Sequence, residues 1–204
     1  MNQAATTKTR TKNNVRMLTM TALLSAISYI LAFIEFPVPL SPPFARMDLS
    51  DFPALIGAFA YGPVAGLMIG FIKNALQLLS TSTGGIGELA NFIMGGSFAF
   101  TAGLIYRFKK TKHGAWASCA VASIIMSIMS VIINYFILLP MFEMFMPIEQ
   151  IVASFGEFMP FIQTKLDVVL FNAFPFNLLK GLVISAFTML TYKKLSPLFK
   201  GASV

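Results

Sequence analysis

The sequence predicts an all-α integral membrane protein, a bundle of six helices of which one is short, and three observations predict it. Of its 204 residues 56% are hydrophobic and 11% charged, with a mean hydropathy of +0.76, against roughly 25% charge in an average soluble domain. Four apolar runs, at about 17–34, 89–106, 115–139 and 168–192, approach or exceed the roughly 20 residues that a helix needs to cross a bilayer. Basic residues gather in three clusters that bracket these runs: Lys8, Arg10, Lys12 and Arg16, then Arg107, Lys109, Lys110 and Lys112, then Lys193, Lys194 and Lys200. Clustered cations flanking apolar segments mark the cytoplasmic side of a membrane protein rather than a groove that tracks nucleic acid phosphates.

Taken in order, residues 1–16 form a polar, basic tail with no small-residue cleavage site after it, so they read as a retained cytoplasmic extension. The first helix follows at about 17–34, with Ala22 and Ala26 at the spacing that lets another helix approach closely. Residues 35–51 carry four prolines, which favour an extended, low-entropy lid. The stretch from Phe52 to Ser80 is interrupted by Tyr61-Gly62-Pro63, and a residue before proline is biased away from helix. Two helices, about 52–60 and 63–80, therefore meet at a turn.

The charges choose this reading over a single kinked span. One span would send two of the basic clusters outside, whereas two membrane-embedded helices return all three to the cytoplasm, with both termini inside a prokaryotic plasma membrane. All eight acids, Glu35, Asp48, Asp51, Glu88, Glu143, Glu149, Glu157 and Asp167, then fall on the other side. The helix at 52–60 spans only about 14 Å at 1.5 Å per residue. It needs neighbours to cover its ends. Gly62, Gly66 and Gly70 supply a second small-residue face. Beyond the 81–88 loop, helices at about 89–106 and 115–139, a long outer loop at 140–167 and a last helix at 168–192 complete a single membrane domain over 1–204 without internal repeats.

Charged or amide side chains read as lying deep in the helices are Lys73, Asn134, Asn177 and Lys180. The six-helix topology puts all four at one depth beneath the outer loops, joined by Asn91. A lysine at mid-membrane costs on the order of 2.5–3.5 kcal/mol. Snorkelling of a long side chain and hydrogen bonds between helices are the structural explanations for one such residue. A set sharing one level predicts an outward pocket lined by Phe and Met with a few converging amides and amines. Met47 and Asp48 close it from above, and the Gly95-Gly96 pair lets backbone approach a ligand. An asparagine offers donor and acceptor side by side, the complement of a uracil-like N–H and C=O edge.

Other classes lack their chemistry. No P-loop motif and no HExxH occurs, Cys119 is the only cysteine, and His113 sits among lysines. The sequence therefore predicts a ligand-binding subunit without an ATPase site of its own, not an enzyme, with no metal and no cofactor.

With "MDLSDFPALIGAFAYGPVAGLMIGFIKNALQLL" (47–79) and "FPFNLLKG" (174–181), the chain resembles the substrate-binding S component of energy-coupling factor (ECF) transporters, in its riboflavin type, over nearly its whole length. The resemblance implies a six-helix S-component bundle that binds riboflavin near the outer face and docks onto a transmembrane coupling protein and two ATPases in the membrane lipid. It further implies a flavin site of Met47, Asp48, Lys73, Gly96, Asn134, Asn177 and Lys180, and a coupling-subunit interface at Ala22 and Ala26. Two alternatives stay open at this point. One is an S component for another vitamin or for flavin mononucleotide, and the other is a structural membrane subunit whose polar residues hold helices together.

Overall fold

The computed structural model describes residues 2–37, 46–81, 83–157 and 159–199. Helix α1 runs over Asn2–Leu31, so the basic segment before residue 17 continues the first helix. Its inward face is the stripe Thr21, Leu24, Ser25 and Ser28, all buried, at the spacing of a helix with one packed side. Two short antiparallel strands follow, β1 (Glu35–Pro37) and β2 (Arg46–Asp48), with Glu35 opposite Asp48 and Phe36 opposite Met47. This hairpin defines one end of the molecule, and Met47 is buried beneath it.

Helix α2 (Asp51–Tyr61) is the short one, and it is enveloped. Leu55 and Ile56 are fully buried, and α2 packs against α1, α3 (Pro63–Gln77), α4 (Ile86–Phe108) and the last helix, α9 (Phe174–Phe199). Enclosure on this scale satisfies the requirement that a helix too short to span should not expose its ends to lipid. The turn into α3 depends on Gly62, whose φ of 100° suits a residue without a side chain. Pro63 then opens α3, where its missing N–H costs no helical bond. Gly66 is the contact point of the pair: a Cβ there would lie 2.6 Å from the Ala58 side chain and 2.9 Å from the Ala54 carbonyl. Gly70, at the same spacing, faces open space.

Residues Leu78–Ser80 tighten the end of α3. The loop after it is knotted by threonines: Thr81 Oγ1 accepts from the backbone N–H of Thr83 and Gly85, and Thr83 Oγ1 accepts from Gly87. Helix α5 (Lys112–Ile133) starts from a Thr111 cap. It continues through a π-helical turn, Asn134–Leu138, into α6 (Leu139–Glu143). The last rod repeats that construction, with α8 (Lys165–Val168), a π turn at Val169–Ala173, then α9. Pro140 and Pro175 each follow a π turn. A proline ring inside a helix removes one N–H and crowds the carbonyl four residues back, and a widened turn relieves that crowding.

Five of these helical stretches are long and apolar enough to cross a membrane among the described residues, and α2 makes the sixth helix of the bundle. Around α2 the order is α1, α3, α4, α5, α9. Contact between α5 and α9 is close because Gly181 sits against Ser123, where a Cβ would meet the serine Oγ at 2.6 Å. The segment between α6 and α8 is not a plain loop. Helix α7 (Ile148–Gly156) lays Ile151 and Phe155 onto Leu139, Val168, Val169 and Ala173, a small separate core roofing both π turns.

Candidate functional site

The start of α2 gathers the charges. Lys73 is 2% exposed, and its Nζ donates to Asp51 Oδ1 at 3.0 Å and to Ser50 Oγ at 2.9 Å. Lys180 Nζ lies 3.2 Å from Asp51 Oδ2 and 3.4 Å from Asp48 Oδ2. The two lysines and two aspartates form a charge-balanced quartet with Asp51 at its centre, each of its oxygens facing one ammonium. Asp48 is held in place by its own turn, its Oδ1 accepting the Ser50 N–H at 2.7 Å. Burial alone would push the Asp48 carboxyl up, but Lys180 and Lys73 outweigh it and hold that carboxyl below the usual carboxylate range.

Desolvating an ion costs several kcal/mol, and pairing offsets it only when geometry and further hydrogen bonds are good. Here four elements supply the geometry: the hairpin (Asp48), α2 (Asp51), α3 (Lys73) and α9 (Lys180). Helix α4 touches as well. Gly95 backs onto the Asp51 carboxylate so closely that a Cβ would lie 2.6 Å from Oδ1. Helix α1 joins from the other side, where the Ser28 hydroxyl donates to the Ser50 carbonyl.

One turn along α9 from Lys180, the amides form a second patch. Asn177 Nδ2 donates to the Ala173 carbonyl at 2.9 Å, and Ser130 Oγ donates to that same carbonyl at 3.1 Å. Asn134 Nδ2 donates to the Ser130 carbonyl at 2.7 Å. The two asparagines are thus linked through Ser130 across the α5–α9 seam, each spending one amide proton on the carbonyl four residues back. An amide has a second N–H and an acceptor oxygen as well. Both asparagines border the π turns, a feature that recurs at functional positions.

Of the residues singled out in the sequence, Lys180 therefore meets Asp48 directly, Lys73 joins them through Asp51, and Asn134 and Asn177 are linked through Ser130 one turn away. Met47 is buried beside them in the hairpin. Gly96 faces elsewhere: a Cβ there would approach Leu67 at 3.0 Å and the Phe92 ring at 3.5 Å, on the α3 side. Ala22 and Ala26 are both exposed, on a face of α1 that flanks its buried serines. Sequence reasoning missed Asp51 and Ser50, and it read Gly95 as a backbone approach to a ligand where the structure sets it against the Asp51 carboxylate. Its available signal was charge balance, since two embedded lysines call for two carboxylates and Asp51 stands three residues from Asp48.

Comparison with known proteins agrees with this architecture. Residues 16–192 match the family model described as "ECF transporter, substrate-specific component". The chain is 36% identical over 194 residues to the protein named riboflavin transporter RibU of Staphylococcus aureus (strain TCH60), covering 95% of this chain and 96% of that one. It is 32% identical over 186 residues to riboflavin transporter FmnP of Bacillus subtilis (strain 168), covering 90% and 93%. A solved structure described as "Structure and mechanism of the S component of a bacterial ECF transporter" superposes with a TM-score of 0.74 at 34% identity, over 92% of this chain and 99% of that one. The chain belongs to the family of substrate-specific S components of ECF transporters.

Proposed function

We propose that this S component captures riboflavin from the outer face of the plasma membrane and delivers it with an ECF module, a transmembrane coupling protein with two ATPases. The module supplies the ATP hydrolysis, for which this sequence has no P-loop motif. The observation that carries the reading is the amide patch of Asn134 and Asn177 set one helical turn from the Lys180–Asp48 link. Donor and acceptor groups side by side match the N–H and C=O edge of the isoalloxazine ring, and the hairpin that holds Asp48 forms the lid. The naming of two relatives as riboflavin transporters supports the same substrate.

Flavin mononucleotide is the less favoured ligand. A phosphate needs uncompensated cations, whereas both buried lysines are already neutralised by Asp48 and Asp51. Titrating the purified protein against riboflavin fluorescence tests the assignment. Saturable one-to-one quenching, reproduced poorly by flavin mononucleotide, is expected. Folded protein that leaves riboflavin fluorescence unchanged would remove riboflavin as the ligand.

A further inference from the structure

A cavity of about 310 Å³ opens at the end of the bundle opposite the hairpin, between the α2–α3 turn and the last turn of α4. Its floor is aromatic, with the Phe59 and Tyr106 rings in tilted contact at 4.5 Å between centroids, and Arg107 and Lys110 stand at its wall. Among the described residues no carboxylate pairs with either cation. All eight acidic side chains of the chain lie in elements at the hairpin end, so among the described residues this cleft has no counter-charge of its own.

We propose that the cleft binds the headgroup phosphate of an anionic phospholipid. Arg107 offers the planar fork that grips two phosphate oxygens, and Lys110 adds a point charge. Basic pockets between helices at the level of lipid headgroups suit such ligands. The rim argues for lipid over a free anion. Val64 on the cleft wall and Phe108, next to Arg107 in the chain, are exposed apolar side chains, 62% and 83% accessible, which offer acyl chains apolar surface at this end of the bundle. Trp116, also exposed at this end, is the residue type that settles at the headgroup boundary. The site stands apart from the quartet and rests on none of its residues.

Native mass spectrometry of the delipidated full chain tests it, with phosphatidylglycerol and phosphatidylcholine of identical acyl chains as probes and inorganic phosphate as competitor. Phosphatidylglycerol should bind at least tenfold more tightly than phosphatidylcholine. Arg107→Gln with Lys110→Gln should weaken it by about 30-fold, following roughly a fivefold loss per cation near the membrane surface. Lys109→Gln with Lys112→Gln, which neutralises the same number of charges around the same α4–α5 connection but outside the cleft, should change it less than threefold. If the first double variant folds poorly, Lys110→Gln alone, beyond the end of α4, should still show the fivefold loss. Equal binding of the two lipids, equal losses in the two double variants, or complete displacement of the lipid by millimolar phosphate would each overturn the proposal.

Discussion

At the scale of single residues, Asp51 is the position on which the most depends. It serves two ammonium groups at once, so Asp51→Asn leaves Lys180 with Asp48 and Lys73 with only the Ser50 hydroxyl. Breaking a buried ion pair from one side destabilises by about 3–5 kcal/mol, and a lowered thermal unfolding midpoint of the purified variant should report it. Asn177→Ala is a different case, because its internal bond is a local one to the carbonyl four residues back. Its stability should change little, while riboflavin binding, read by fluorescence titration, should weaken by roughly 1–3 kcal/mol if a buried ring group loses its partner. The acid side of the pH profile follows from Asp48. Its folded-state pKa is depressed, so its contribution is fully present above the ordinary carboxylate value of 3.8 and is lost as pH falls through the lower, folded value. Unfolding midpoints should therefore drop as pH falls through about 4 and below, and Asp48→Asn should flatten that slope.

At the scale of elements, α1 divides into two faces with different tasks. Thr21, Leu24, Ser25 and Ser28 face the bundle, whereas Ala22 and Ala26 lie outward among exposed Leu23, Ile27 and Ile30. Under the proposed function this smooth outer face meets the coupling protein. Ala22→Leu with Ala26→Leu should then leave riboflavin titration unchanged and abolish module-driven riboflavin uptake into cells. Equal loss of binding and uptake would show instead that the stripe matters to the fold. The short α2, its turn at Gly62-Pro63 and the long rods follow from hydropathy, charge and turn chemistry, and these were legible. The π turns at Asn134–Leu138 and Val169–Ala173 were not, because nothing but Pro140 and Pro175 marks them. Helix α7 was equally hidden, since its nine residues look like loop until they pack on α6 and α8.

At the scale of the whole molecule, the chain separates its charges along the bundle axis, with carboxylates and the amide patch at one end and the unpaired Arg107 and Lys110 at the other. The depth of Lys73, Asn134, Asn177 and Lys180 could be read from their places in apolar runs, because each helix advances by a fixed rise. Their grouping could not, since it depends on α2 standing at the centre and presenting Asp51 to α3 and α9 together. That is a tertiary fact with no local signature. The central claim is that this end of the bundle reads the polar edge of a flavin ring through Asn134 and Asn177. The measurement that tests it most directly is a structure of the riboflavin complex. The account predicts the N–H and C=O edge of the isoalloxazine within hydrogen-bond distance, about 3 Å, of Asn134 and Asn177, beneath the hairpin. A ring seated away from both asparagines, in the cleft at the basic end or along the α3–α4 face, would contradict it.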